Sequence, residues 1–171
     1  MEALPIDIAK IRLTEFFPTE FAVRGNATGQ QLAENGIATQ FRLTQDLDFT
    51  ANPALNRVGV QVRIGVETVM GDPAEPVGSG GTFVLDFGFV VDNLPDLMVD
   101  IPPGAGDALE AVTAQVPAPP LLVLLTSIAY STARGVLWGR LAGTALEGFT
   151  LPVVDVNRLL SDVAQAKAGL G

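Results

Sequence analysis

The chain has 171 residues, the length of one ordinary domain, and its 48% hydrophobic content is enough to build a core. It contains no cysteine and no histidine, which excludes disulfides, thiolate or imidazole metal sites and histidine-dependent catalytic triads. The formal net charge of −9 makes nucleic acid a poor partner, because phosphate contacts need clustered Lys and Arg.

A first strand is predicted near the N-terminus, where Ile6 and Ile8 share one parity and Ile11 and Leu13 share the other. This change of parity predicts a bulge or bend between the two pairs. The polar segment that follows, residues 25–36, is long for a hairpin. We therefore expect the first strand to pair with a strand other than its neighbour in the sequence.

Three runs of alternating apolar and polar residues predict three further strands, each with one side facing water. The runs extend over residues 37–50, 57–67 and 82–92, and short turn-rich links between them favour an antiparallel meander. Before the third run, residues 78–81 (Gly-Ser-Gly-Gly) lack the Lys-Ser/Thr of a phosphate loop. We predict a turn there.

The C-terminal half predicts two helices after a connector. The connector, residues 92–120, carries six prolines and is predicted to hold a short helix over Asp107–Gln115. A long helix is predicted over Leu121–Leu141 from its helical apolar spacing. Asp155 is predicted to cap a last helix that continues to about Lys167.

This order of elements predicts a single domain over residues 1–171 of the α+β class. It would be a four-stranded antiparallel sheet with a long helix and a C-terminal helix packed on one face. The acidic N-terminal residues do not resemble a signal peptide, and the apolar stretch Leu121–Ile128 is too short to cross a membrane. We expect a cytoplasmic protein that does not insert into the membrane.

Carboxylates supply the only candidate catalytic or metal-binding chemistry. Asp46 and Asp48 share one strand face, as do Asp86 and Asp92, and paired carboxylates serve glycoside hydrolysis or hard-metal binding. These acids also fall on the polar faces that are expected to meet water. We therefore predict a non-enzymatic protein with no catalytic residues, no metal and no cofactor.

Two surfaces are candidates for binding a polypeptide. The connector carries Leu94, Leu97, Met98 and Ile101, which either hold a peptide or pack onto the sheet. On the long helix, Tyr130 and Trp138 lie one turn from Arg134, and Arg140 follows. This cluster either recognises a peptide or a second subunit, or it is a helix end whose arginines pair with acids of the same chain.

The distribution of charge leaves two interpretations of its own. All nine acids between Arg63 and Arg134 lie in a stretch without a single basic residue. Such a stretch favours a basic protein surface as partner. It is equally typical of a solvated acidic face that keeps a protein soluble.

Three segments resemble the SecB family of export chaperones: Gly81–Phe89, Ser127–Gly135 and Phe149–Leu160. The first is similar to the last strand of that family, the second to the early part of its long helix, and the third to the turn into its final helix. The resemblance implies an ATP-independent holdase, assembled as a dimer of dimers, that binds unfolded or precursor polypeptides.

The same resemblance leaves the client set and the partner open. Residues 25–36 contain no aromatic residue, and the region Thr19–Val23 offers Glu20 as its single acid, whereas the family places groove aromatics and motor-docking acids in these places. A secretion motor is therefore one expected basic partner, and a dedicated client such as a toxin–antitoxin pair is the alternative to export. A non-enzymatic assembly subunit that uses the same fold to form oligomers is the second functional hypothesis.

Overall fold

A computed structural model describes residues 6–25, 40–70, 75–101 and 114–168. The main elements in chain order are β1 (Ile11–Arg24), β2 (Gln40–Asn52), β3 (Arg57–Met70), β4 (Glu75–Val91), β5 (Met98–Ile101), β6 (Ala114–Pro117), α1 (Pro119–Arg140) and α2 (Val156–Ala168). Single turns of 3-10 helix occur at Ile8–Lys10, Pro53–Leu55 and Leu94–Leu97. The α+β class is confirmed.

The main sheet has four antiparallel strands in the spatial order β1-β4-β3-β2. Strands β2, β3 and β4 form the predicted meander, because each pairs with the next along the chain. Strand β1 pairs with β4 on the far side of the meander. The expectation that the first strand pairs away from its neighbour in the sequence is therefore confirmed.

The predicted bulge or bend between Ile8 and Ile11 takes the form of a bend before β1, and not of a bulge inside a strand. Residues Ile8–Lys10 form a 3-10 turn, in which the Asp7 carboxylate accepts a hydrogen bond from the backbone N–H of Ala9. The pairing of β1 with β4 shifts register further on, between Leu13 and Glu15 and again between Pro18 and Glu20. Proline is tolerated there because β1 is an edge strand and Pro18 lacks the N–H that an inner strand needs.

The predicted turn over residues 78–81 is also wrong, since strand β4 runs through it. The register between β4 and its partner strand β3 shifts between Glu67 and Val69, and pairing resumes with Gly80 opposite Glu67. The glycines permit this close approach: a Cβ on Gly80 would lie 2.7 Å from the carbonyl oxygen of Val66. The segment is a glycine-rich bulge inside a long strand.

The connector contains more β-structure than predicted. Strands β5 and β6 pair as a small antiparallel hairpin. The backbone N–H of Ala118 then donates to the carbonyl of Leu97 at 2.7 Å. Of the predicted helix over Asp107–Gln115, residues 107–113 lie outside the described residues, and its last two residues belong to β6.

The core lies between one face of the sheet and α1. Alternate residues of β3 and β4 from Val58 to Val66 and from Phe83 to Val91 are buried, and α1 covers them with Leu121, Leu125, Ala129, Ala133 and Leu137. Helix α1 starts two residues earlier than predicted, with Pro119 and Pro120 in its first turn, where a missing N–H costs nothing.

Helix α1 is long and apolar enough to cross a membrane by length and composition, and 39% of its most apolar window is buried inside the fold. Here one of its faces packs on the sheet, as a core helix does. Helix α2 begins as predicted: Asp155 Oδ1 accepts hydrogen bonds from the backbone N–H groups of Asn157 and Arg158, at 2.9 and 3.4 Å.

Candidate functional site

An open groove of about 420 Å³ lies between β2, α1 and α2. We call it the client groove, and its lining is almost entirely apolar. Two side chains come from β2, three from α1 and five from α2: Leu47, Phe49, Pro119, Leu122, Val123, Asn157, Leu160, Ser161, Val163 and Ala164. Of these ten described residues only Asn157 and Ser161 are polar, and neither carries a charge.

The groove arises because α2 is amphipathic and packs through a narrow stripe. Leu159 is buried at 8% exposure, whereas its neighbours Leu160 and Val163 are only partly covered. On α1, Leu122 and Val123 are likewise partly covered beside the buried Leu121. Each helix thus leaves part of its apolar surface unburied, and the two surfaces face one opening.

This lining selects ligands by burial and not by charge. Apolar surface transferred from water gains about 25 cal/mol per Å², and an ionised group would lose hydration without finding a partner. Among the described residues that line the groove, none is a nucleophile poised beside a base and none is a metal-binding carboxylate. The groove can hold apolar side chains of a polypeptide.

The residues that the sequence predicted for client binding differ widely in burial. Leu94, Leu97 and Tyr130 lie in the core at 0%, 2% and 5% exposure, so a client cannot reach them in this conformation. Met98 is half-buried against the core, and Trp138 is exposed at 65%. The side chain of Ile101 lies outside the described residues, and none of the other five lines the client groove.

The burial of Leu94 and Leu97 has a local cause. The chain leaves β4 at Val91 and turns at once through the 3-10 helix, whose N-terminal flank is Asn93. That turn carries both leucines under the sheet end and into the main core. Of the two interpretations of the connector, packing onto the sheet therefore holds for these two residues.

Tyr130 bridges α1 to the edge strand of the sheet. Its hydroxyl is hydrogen-bonded to the Nε2 group of Gln45 on β2. Burial raises the pKa of the Tyr130 phenol, while the Gln45 hydrogen bond and the nearby charge of Arg134 act in the opposite direction. The residue joins helix to sheet and presents no surface to a client.

The raised pKa of Tyr130 can be measured directly, because it is the only tyrosine of the chain. We expect its ultraviolet phenolate absorbance to appear above the ordinary pKa of about 10 in the folded protein. The neutral phenol makes its full contribution to the free energy of unfolding below that pH. This contribution is lost as the pH rises through the pKa of the folded state. Titration of the Gln45→Leu variant is the control, and equal curves for folded and urea-unfolded protein would contradict this placement.

One hypothesis held that the arginines of α1 pair with acids of the same chain, and the described residues do not support it. Within the described ranges neither Arg134 nor Arg140 forms an ion pair with a carboxylate. The Arg140 guanidinium instead lies over the ring of Phe21, 5.5 Å from its centroid. This contact ties the end of α1 to β1 by a cation–π interaction.

The candidate carboxylates on the other face of the sheet are engaged in cross-strand contacts. Asp46 and Asp48 both contact the guanidinium of Arg63, at 3.2 and 3.5 Å. Asp92 pairs with Arg12 at 2.8 Å, and Asp86 accepts hydrogen bonds from Gln61 and Thr19. In the part of the chain that the structure describes, no group of three potential ligands could hold a metal ion.

Comparison with known proteins supports the fold class that this geometry defines. No family model matches the chain, and no curated protein matches it. Among solved structures, the arrangement of an antiparallel sheet under a long helix is similar to the fold of a SecB-like chaperone. A protein of unknown function from Streptococcus agalactiae also matches, at a TM-score of 0.25 and 14% identity over 84% of this chain and 97% of that chain.

The SecB-like structure is that of Rv1957 from Mycobacterium tuberculosis, in complex with a ChAD peptide from the HigA1 antitoxin Rv1956. The TM-score is 0.54 at 11% sequence identity, over 86% of this chain and 93% of that chain. At this identity the likeness shows the fold. The fold that the SecB resemblance implied is therefore supported.

The residues of the client groove were missed from the sequence, although part of their signal was present. Leu159, Leu160 and Val163 form an apolar stripe on the predicted last helix, and we assigned that stripe no role from the sequence. Nothing in the spacing of residues shows that Phe49 of β2 and Leu122 of α1 would share an opening with that stripe. That proximity depends on tertiary structure.

Proposed function

We propose that this protein is an ATP-independent holdase that binds unfolded or precursor polypeptides in the client groove. The observation that carries the proposal is an open groove of about 420 Å³ with no charged side chain among the described residues that line it. Apolar patches of this kind on a folded domain mark interaction sites. The SecB-like fold supports the proposal, since the neighbour of that fold was solved with a bound peptide.

Two kinds of client are compatible with this proposal. One is export of precursor proteins in the cytoplasm, with a basic partner such as a secretion motor, as the sequence resemblance implies. The other is a dedicated client, and the neighbour's complex with an antitoxin peptide favours it. A chaperone with a dedicated client binds that client far more tightly than general unfolded chains, and competition between the two measures the difference.

We propose further that the chain forms a homo-oligomer, with a dimer of dimers as the family-implied form. The outward face of α1 supports this, because Ser131, Gly135, Trp138 and Gly139 are all exposed there. A Cβ on Gly135 or Gly139 would meet nothing within 4 Å, although glycine inside a helix costs about 1 kcal/mol relative to alanine. The fold of one subunit does not need these glycines, and close approach of a second helix would use them.

The same observation favours the second candidate function, that of a non-enzymatic assembly subunit. In that case the protein would form a defined oligomer and have no affinity for unfolded chains. Sedimentation of the purified protein measures the oligomer, and the assay below measures the affinity. An oligomer that leaves client aggregation unchanged would establish the second function in place of the first.

The test of holdase activity is light scattering from a reduced or heat-unfolded client without ATP. We expect near-equimolar protein to suppress aggregation. The Leu160→Ser variant, which removes apolar surface from the groove, should suppress it several-fold less well. Val153→Ser is the matched control, because Val153 is 83% exposed and does not line the groove.

Circular dichroism must show both variants folded before their scattering curves are compared. Equal loss of suppression in the two variants would place client binding outside the groove. No suppression by the folded unaltered protein, at any ratio up to a several-fold excess, would contradict the holdase proposal itself.

A further inference from the structure

The lining of the client groove changes in polarity along α2. Its two polar side chains, Asn157 and Ser161, lie one helical turn apart near the start of the helix, and the apolar Val163 and Ala164 lie further along it. Asn157 and Ala164 are seven residues apart in the sequence, which is about 10 Å along a helix. One end of the groove therefore offers polar groups, whereas the other described side chains of the lining are apolar.

The two polar side chains differ in how far the protein itself satisfies them. The Ser161 hydroxyl donates a hydrogen bond to the backbone carbonyl of Asn157 at 2.9 Å. The Asn157 carboxamide, which carries two N–H donors and an acceptor oxygen, has no hydrogen-bond partner among the described residues. A client can therefore cover Ser161 at little cost in free energy, and covering Asn157 costs more.

The charged neighbours of Asn157 are engaged with other groups. The Asp155 carboxylate accepts hydrogen bonds from the backbone N–H groups of Asn157 and Arg158, at 2.9 and 3.4 Å, and so caps the helix. The guanidinium of Arg158 faces Asp162, with 3.7 Å between Nε and the carboxylate. Asn157 is exposed in the free protein, so water satisfies its carboxamide there.

A client that fills the groove replaces this water with its own atoms. A purely apolar segment leaves the Asn157 carboxamide desolvated and unpaired, which weakens binding. A segment with a carboxamide opposite Asn157 can donate to its oxygen and accept from its nitrogen. An acidic residue is less suitable, because the Asp155 carboxylate lies at the same helix end and repels a second negative charge.

We propose that Asn157 determines client specificity: the client groove selects an apolar segment that places one Gln or Asn side chain against the Asn157 carboxamide. The inference rests on the proposed holdase function and names the class of segment that the groove takes. Apolar residues of that segment fill the part of the groove lined by Phe49, Leu122 and Leu160. This selection favours a dedicated client over general unfolded chains, because a purely apolar segment leaves Asn157 unpaired.

The test compares three peptides rich in leucine and alanine that differ at one central position, which holds Gln, Met or Glu. Methionine has nearly the shape of glutamine and lacks the two N–H donors and the carbonyl oxygen. We expect the unaltered protein to bind the Gln peptide about tenfold more tightly than the Met peptide. The Glu peptide should bind more weakly than the Gln peptide. Fluorescence anisotropy of the labelled peptides measures the three affinities.

Asn157→Leu removes the carboxamide at nearly constant side-chain size. The variant should bind the Gln and Met peptides within about twofold of each other, and it should bind the Met peptide more tightly than the unaltered protein does. Damage to the fold would not produce such a gain. Ser161→Ala and Gln165→Leu are the controls and should keep the tenfold preference, because Ser161 is bonded within the helix and Gln165 is an exposed carboxamide of α2 that does not line the groove.

The outcomes separate this inference from the proposed function. If the protein suppresses aggregation but binds the Gln and Met peptides alike, or binds neither, the inference is overturned and the holdase function stands. A preference that persists in Asn157→Leu, or that Gln165→Leu also loses, overturns the role of Asn157. A Glu peptide that binds as tightly as the Gln peptide overturns the selection of an amide. A protein that holds no client in the scattering assay contradicts the proposed function, whatever the peptides show.

Discussion

Replacing Phe83 by alanine is expected to lower the free energy of unfolding by about 3–5 kcal/mol. Phe83 lies on β4 at 0% exposure, and its ring centroid is 4.8 Å from that of Phe21 on β1. Truncation removes the buried ring, leaves a cavity and ends a ring contact between the two strands. A native domain is stable by only about 5–15 kcal/mol, so the variant should be close to unfolding.

Urea unfolding followed by circular dichroism measures this change as a shift in midpoint at an unchanged slope. Phe17→Ala is the matched control, because it removes the same ring from β1 where the side chain is 60% exposed. We expect the control to change stability by no more than about 0.5 kcal/mol. Similar losses in the two variants would mean that the two faces of the sheet are not buried as the structure has them.

The sheet could be predicted from the sequence because its signal is local. A strand with one wet face alternates apolar and polar residues, and Val58, Val60, Val62 and Ile64 do so with hardly an exception. The polar segment before β2 also favoured a partner for β1 other than β2. These two observations predicted the meander and the displaced first strand, and the two helices that follow completed the prediction of the α+β class.

Other parts of the fold depend on contacts that spacing does not encode. The glycines at residues 78–81 are typical of a turn, yet they relieve a close approach between strands, with Gly80 near the carbonyl of Val66. Only the partner strand distinguishes these two uses of glycine. The 3-10 turn at Ile8–Lys10 likewise depends on the Asp7 side chain and on the path of β1 beyond it.

For the candidate site, too, the sequence predicted what is local and missed what depends on tertiary contacts. Exposed apolar residues in a proline-rich segment look like a binding surface, and Leu94 and Leu97 were chosen on that ground. A proline-rich composition does not indicate whether the apolar side chains of a segment face the core or the solvent. Here the turn after β4 directs both side chains into the core. The client groove lies where β2, α1 and α2 meet. The sequence carries only part of its signal, namely the apolar residues Leu160 and Val163 on the last helix.

The Leu97→Ser variant distinguishes a core role from a client-binding role for this residue. Leu97 is 2% exposed, so truncation should cost about 2–5 kcal/mol of stability. The serine hydroxyl, if left without a partner in that site, adds about 1–3 kcal/mol. We expect a large decrease in the urea midpoint, while the fraction that remains folded holds client as well as the unaltered protein does.

Two measurements on the same sample decide between these roles. Urea unfolding gives the stability, and light scattering at a temperature where the variant is still folded gives the holdase activity. Val153→Ser again serves as the exposed control, with stability expected to change by no more than about 0.5 kcal/mol. If Leu97→Ser keeps its stability within about 1 kcal/mol of the unaltered protein and loses its hold on the client, Leu97 belongs to the client surface after all. The turn after β4 would then have to open in solution, because in the closed arrangement the Leu97 carbonyl accepts from Ala118 at 2.7 Å and its side chain is covered.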